Sequence, residues 1–253
     1  MRRLLAVSAL ATLTVAGCGG APSPQQTPPI FAAATASSGA AASVVSGPPA
    51  TAGAVVERAQ PVDLKATLAV YATAGGRVLA RLQPRTHYGS VLTVLVDSTT
   101  PLGAGWLRVY LPTKPNGSEG WVKSSSVKVA EVQDAILVNT RTHTVTVAIP
   151  GRAPVTGPAA VGTSTDPTPK GLAYVTDVLW PANPHGAYGS VALGLSLHST
   201  ALKDWPDGGQ IGLHGTNEAA SIGKDASHGC IRVPANIDAL LAQIPLGTPV
   251  TIA

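Results

Sequence analysis

Gln210-Ile211-Gly212-Leu213-His214-Gly215-Thr216-Asn217, followed by Ser227-His228-Gly229-Cys230-Ile231-Arg232 and the segment Pro234 to Ile244, is the stretch on which the reading of this chain turns. Gln210 to Leu213 is a short β-type run that ends in a glycine turn. Pro234 opens a segment that spaces Ile237, Leu240, Leu241 and Ile244 on one face, which predicts a helix ending before Pro245. His214 therefore follows a strand and Cys230 precedes a helix. A fold that brings these two transitions together sets an imidazole beside a thiol in a cleft rather than in a core.

A thiol ionises near pH 8.5, and the thiolate is the reactive form, so a cysteine nucleophile needs a neighbouring base or cation. His214 and His228 lie in Gly-rich turns close to Cys230 in sequence, and Arg232 adds positive charge two residues beyond. Gly229 lets the backbone approach a substrate, and the N–H groups of Gly229 and Cys230 are candidates to receive an oxyanion. Two blander readings stand beside this one. Three ligands with His-x13-His-x-Cys spacing match none of the usual zinc patterns, yet scattered His and Cys also suit a metal. A buried, inert cysteine is the other, because free Cys is among the most buried residue types.

Working outward, β-type segments are predicted at Gly171 to Leu179 and Ser190 to Leu197, with Pro249-Val250-Thr251-Ile252 as a last strand. Ala135 to Asn139 and Thr144 to Ile149 flank a polar turn through Arg141 and read as a hairpin. Before them, Thr67 to Tyr71, Val91 to Val96, Trp106 to Tyr110 and Gly120 to Val122 are short strands at the spacing of a small barrel. Trp106 and Trp121 are read either as core aromatics of a spacer or as parts of a binding surface. Residues 18–60 are Ala, Ser, Gly, Pro, Thr and Gln with little charge, a composition that cannot bury enough apolar surface to offset ordering and so predicts a disordered tether. Residues 1–17 open with Arg2-Arg3 and continue as an apolar run shorter than the roughly 20 residues of a membrane span.

The chain has 253 residues, room for two small domains. Only 12% are charged and 4% aromatic, with 27 Gly and 22 Pro, which favours β structure joined by turns. Its formal charge of +4 falls by two, to +2, without Arg2 and Arg3. No Lys/Arg block is interleaved with aromatics, so nucleic acid is not an expected partner. Its two cysteines are Cys18 and Cys230.

Three resemblances give these features a direction. Residues 1–17 with Val15-Ala16-Gly17 before Cys18 resemble a bacterial lipoprotein signal, which implies lipid on Cys18, an extracytoplasmic place in the cell envelope, and contact with the membrane through that anchor only. Cys230 then has no partner for a disulfide. Residues 61–129, with Trp106-Leu107-Arg108-Val109, the turn Pro115-Asn116-Gly117 and Gly120-Trp121-Val122, are similar to bacterial Src-homology-3-like (SH3-like) barrels, which often accompany wall enzymes.

Residues 131–253 resemble YkuD-type L,D-transpeptidases. The resemblance rests on His214-Gly215-Thr216 and Ser227-His228-Gly229-Cys230-Ile231-Arg232, supported by Asp166-Pro167-Thr168-Pro169-Lys170-Gly171 and Gly186-Ala187-Tyr188-Gly189. It implies a mainly β chain: an SH3-like barrel followed by a β-sandwich catalytic domain with one helix after the cysteine. It also implies Cys230 as nucleophile, His214 as general base and Gly215 as the residue whose carbonyl orients the imidazole. Substrate or oxyanion contacts fall to His228 and Gly229, Ser227 shapes the loop, and Arg232 orients the site or holds a substrate carboxylate. Leu172-Ala173-Tyr174 departs from the family's usual Thr-Phe type of pair, which touches the groove rather than the chemistry. The implied reaction takes a tetrapeptide stem of peptidoglycan as donor and an amine of another stem as acceptor, forms a 3→3 cross-link with release of D-Ala, and uses no metal or cofactor. Carbapenem-type β-lactams are the implied inhibitors. Water or a protein amine as acceptor gives an L,D-carboxypeptidase or a protein-to-wall ligase, and a vestigial site gives a wall-binding lipoprotein.

Overall fold

The structure, a computed structural model, describes residues 54–202 and 208–253, which belong to one compact unit. The leader, Cys18 and most of the expected tether lie outside the described residues. Among the described residues, no helix is long and apolar enough to cross a membrane.

Seven strands make the first sheet: β1 (Val56–Pro61), β2 (Leu68–Tyr71), β3 (Val78–Leu82), β4 (Val94–Val96), β5 (Trp106–Tyr110), β6 (Glu119–Lys123) and β7 (Val127–Val132). They run in the order β3-β2-β6-β5-β4-β1-β7, and every pair is antiparallel. Alternation sends one face of each strand inward, so Ala59, Val70, Val94, Leu107, Val109 and Val122 meet in one core. β1 pairs with β7 along its whole length, from Val56↔Val132 to Pro61↔Val127. Two expected boundaries therefore move: the tether reaching residue 60 is already strand from Val56, and β7 runs through the border drawn between 129 and 131. The pairing supplies hydrogen bonds that the composition around Glu57 and Arg58 does not advertise.

Trp106 and Trp121 are not core residues. Both lie on the outward face with Tyr71 and are only partly buried. The Tyr71 and Trp106 rings meet edge to face at 4.9 Å, and the Lys123 ammonium sits 5.9 Å from the Trp106 ring centre. The core of this unit is aliphatic instead.

The second half contains β8 (Ala135–Asn139), β9 (Thr144–Ala148), β10 (Val155–Pro158), β11 (Val161–Gly162), β12 (Gly171–Leu179), β13 (Ala192–His198), β14 (Gln210–His214), β15 (Asp225–Ser227), β16 (Ile231–Arg232), α1 (Ala235–Leu241) and β17 (Pro249–Ile252). Eight strands form a sheet in the order β10-β9-β8-β17-β12-β13-β14-β16; β17 is parallel to β8 and β16 is parallel to β14. β11 and β15 form a small parallel pair beside it. One core gathers Ile136, Val175, Leu193, Leu213, Ile231 and Ile237. The mainly β class, with one α-helix among the described residues and after Cys230, is as expected. The helix is shorter than Pro234 to Ile244, because Pro234 is its N-cap in extended conformation and the chain turns out of the helix at Ala242, with Ile244 closing a turn onto Leu241.

The two sheets are joined by long-range polar contacts. Arg58 donates to the Leu246 carbonyl at 2.6 Å, the Thr86 hydroxyl donates to Asp177, and Asn116 exchanges two hydrogen bonds with the His198 backbone at 2.8 and 2.9 Å. Tyr174, buried in the second sheet, donates its hydroxyl to the Tyr110 carbonyl at 2.8 Å. The turn Pro115-Asn116-Gly117 thus serves as a dock.

Candidate active site

The parallel pairing of β14 with β16, Leu213↔Ile231 and His214↔Arg232, sets the end of one motif beside the other. Cys230 immediately precedes β16 and is partly accessible. Its Sγ accepts the Gly212 N–H at 3.3 Å. A Cβ built on Gly212 stands 3.3 Å from His214 Cδ2 and 3.6 Å from Cys230 Sγ, so thiol and imidazole edge share the space that the missing side chain leaves open. The expected pair is therefore brought together.

His214 is buried at 4% exposure, and its Nδ1 lies 2.6 Å from the Gly215 carbonyl. A carbonyl only accepts, so Nδ1 carries the proton and Nε2 is left as the basic atom. Burial lowers the proton affinity of His214; the Gly215 carbonyl raises it, the Arg232 charge lowers it, and the Asp238 carboxylate raises it. Burial raises the Cys230 thiol, while the Gly212 N–H and Arg232 pull it down. Both shifts favour the uncharged forms, a thiol facing a neutral imidazole.

The loop before the cysteine is built from small contacts. Ser227 Oγ donates to the Cys230 carbonyl at 2.5 Å and accepts the Gly229 N–H at 3.1 Å. Ser227 thus bridges the two ends of this turn. The Gly229 N–H, expected to face a substrate, is engaged by Ser227. What requires glycine there is a φ of 115° and a Cβ position 3.0 Å from Ile211 Cδ1. His228 is exposed on the cavity wall. Arg232 lines the same cavity but is paired with Glu218 at 2.6 Å, a partner that the reading of the motif overlooked.

Two buried residues outside the motif hold it in place. Asp238 on α1 accepts from the Ser190 N–H at 2.8 Å, the Ser190 hydroxyl at 2.6 Å, the Val191 N–H at 3.3 Å and the Gly215 N–H at 3.2 Å. It thereby fixes the residue whose carbonyl orients His214. No side chain fits at Gly215, where a Cβ would sit 2.7 Å from Asp238 Cγ and 2.8 Å from Gly189 Cα. Thr168, from the Pro-rich turn, donates to the Gly229 carbonyl and accepts the Gly162 N–H, both at 2.8 Å. Thr168 lies in the Asp166 to Gly171 turn, whereas Asp238, next to Ile237, reads in the sequence as an ordinary solvated helix position.

Two hollows meet at Cys230. One is lined by Ser227, His228 and Arg232, the other by Leu179, Trp180, Tyr188 and Tyr88. The Tyr188 ring lies over His214, centroids 4.8 Å apart. No cluster of three or more His, Cys, Asp or Glu side chains suited to a metal occurs among the described residues.

Residues 133–252 match the profile of the YkuD L,D-transpeptidase catalytic domain. The chain is 32% identical over 149 residues to a Bacillus subtilis (strain 168) protein provisionally named L,D-transpeptidase YkuD, covering 56% of this chain and 83% of that one. A second protein of that strain, provisionally named L,D-transpeptidase YqjB, is 30% identical over 128 residues, covering 46% and 69%. Among solved structures, L,D-transpeptidase 3 from Mycobacterium tuberculosis in complex with a faropenem-derived adduct is similar at 16% identity, with a TM-score of 0.39 and coverage of 64% and 91%.

Proposed function

The chain belongs to the YkuD-type L,D-transpeptidase family, and on that premise we propose that it forms 3→3 cross-links in peptidoglycan through a thioester on Cys230. The observation that carries the reading is the meeting of Cys230 Sγ and the His214 ring over Gly212, with Nδ1 held by the Gly215 carbonyl. In this reaction His214 Nε2 takes the thiol proton as sulfur attacks the carbonyl carbon of the third residue of a tetrapeptide stem. The oxyanion is received by the Cys230 N–H, since the Gly229 N–H is already used. Collapse breaks the C–N bond, and the imidazolium returns its proton to the departing amine of D-Ala. An acceptor amine then attacks the thioester, gives its proton to His214, and sulfur leaves to recover it. The hollow with His228 and Arg232 suits a carboxylate of the stem. A carbapenem-type β-lactam acylates the same sulfur.

Mass spectrometry of disaccharide-tetrapeptide incubated with the full-length chain and with Cys230→Ala tests the reading. Cross-linked dimer with loss of D-Ala in the wild type alone supports it. Tripeptide alone makes the chain a carboxypeptidase, and no thioester or product at all overturns acyl transfer. The N-terminal sheet, with two aromatics and Lys123 on its outward face, is proposed to be the SH3-like unit of a wall enzyme. An envelope location by lipid on Cys18 is proposed from the sequence around it. Partitioning into detergent that persists in Cys18→Ala refutes it.

A further inference from the structure

Tyr88 belongs to the loop between β3 and β4, on the N-terminal sheet, yet it lines the hollow that opens on Cys230 and His214. The loop is fixed on both sides. The Thr86 hydroxyl donates to Asp177, which is buried in β12, and Thr86 N–H and Gly89 N–H close the turn onto the Ser90 and Thr86 carbonyls at 2.9 and 3.0 Å. Arg85 adds a hydrogen bond to the Gly89 carbonyl at 2.8 Å. The hollow measures about 380 Å³, of the order of a small-molecule site. Three of its walls are aromatic rings still open to solvent: Trp180 at 65%, Tyr188 at 51% and Tyr88 at 46% exposure. No ionisable carboxylate, lysine or arginine lines it, whereas the hollow on the other side of Cys230 has Arg232 and His228.

That asymmetry sorts a peptidoglycan stem by its chemistry. The carboxylate of the departing D-Ala lies beyond the scissile bond and suits the basic side. The opposite end of the stem is joined to an amino sugar, uncharged at that point, whose pyranose ring offers an apolar C–H face for stacking on aromatic rings. Resting on the function proposed above, we propose that the N-terminal sheet is part of the substrate site: Tyr88 closes an aromatic cleft that takes the amino-sugar end of a glycan-linked stem, and is a specificity-determining residue of the enzyme.

The test is direct binding, by calorimetry, of disaccharide-tetrapeptide and of the free tetrapeptide to the full-length chain with wild-type Tyr88, with Tyr88→Ala and with Tyr88→Phe, each carrying Cys230→Ala so that no acyl transfer occurs. One stacked ring is worth about three- to tenfold in affinity. The wild type is expected to bind the disaccharide form more tightly by at least that factor, Tyr88→Ala to lose the advantage with the free peptide unaffected, and Tyr88→Phe to keep most of it. Equal binding of the two ligands by the wild type, absence of binding, or a Tyr88→Ala variant that keeps the preference overturns the proposal. Because binding is read without turnover, loss of cross-linking activity alone speaks to the function proposed above and not to the cleft. Alkylation of Cys230 by iodoacetamide at wild-type rate in the single variant Tyr88→Ala shows that the thiol site is intact; a changed rate assigns Tyr88 to the site's architecture instead and also overturns it.

Discussion

Asp238→Asn perturbs the carboxylate that holds Gly215, and its effects separate into a stability cost and a pH shift. The two oxygens of Asp238 accept four hydrogen bonds, from the Ser190 N–H and hydroxyl and from the Val191 and Gly215 N–H groups. Asparagine has the same shape with one oxygen. Oriented so that the oxygen still serves Val191 and Gly215, its amide nitrogen meets the Ser190 N–H donor to donor, while the hydroxyl can reverse. One unpaired buried N–H costs about 1–3 kcal/mol. Losing the charge assistance of the surviving bonds adds about 1 kcal/mol, so the variant should be less stable by roughly 2–4 kcal/mol, within the 5–15 kcal/mol of a typical domain. The carboxylate also raises the proton affinity of His214. Without its charge the imidazole loses its proton at lower pH, and the acid limb of kcat/KM, which reports the base of the free enzyme, moves to lower pH. Urea unfolding and the pH dependence of kcat/KM on disaccharide-tetrapeptide measure both effects. An acid limb that stays put, or moves up, refutes the role assigned to Asp238, even with the stability loss as expected.

Gly215→Ala forces a Cβ to within 2.7 Å of Asp238 Cγ and 2.8 Å of Gly189 Cα; since backbone and a buried carboxylate must yield, it should cost about 1–3 kcal/mol in urea unfolding and at least tenfold in kcat. Thr168→Val keeps the shape but leaves the Gly162 N–H and Gly229 carbonyl unpaired, an expected loss of about 2–4 kcal/mol with slower acylation of Cys230 by a carbapenem, read by intact mass. Since burial raises the thiol and lowers His214, alkylation of Cys230 by iodoacetamide should be slow at pH 6 and climb through and beyond the ordinary thiol range near pH 8.5. A rate that is already at its plateau at pH 6 would mean a thiolate-imidazolium pair.

The residues that make the pair were legible because their chemistry is local. His214 and Gly215 are neighbours, Ser227 reaches Cys230 across one turn, and a motif can carry such contacts whole. Asp238 and Thr168 act across 48 and 61 residues, a distance at which sequence shows neither burial nor partner, and an Asp in a helix next to Ile237 looks like any solvated position. Among the strands, β12 and β17 read clearly from their β-branched runs. β1 did not, because Glu57, Arg58 and Pro61 interrupt its apolar pattern, and β3 did not, because it is a sheet edge with Val78 and Leu79 exposed. β15 and β16 are too short to leave a period. Tyr88 was silent for a further reason: nothing in the β3–β4 loop names the partner sheet against which Thr86 anchors it.

Within the eight-stranded sheet, β17 is the one strand joining the β10-β9-β8 hairpin layers to the β12-β13-β14-β16 half that carries Cys230 and His214. A strand that follows both residues in the sequence is thus the one that closes the sheet around them. Pro249–Ile252 is thus a splice: Tyr174↔Pro249 on one side and Ile136↔Val250 on the other make it the path by which a break in either half of the sheet reaches the other.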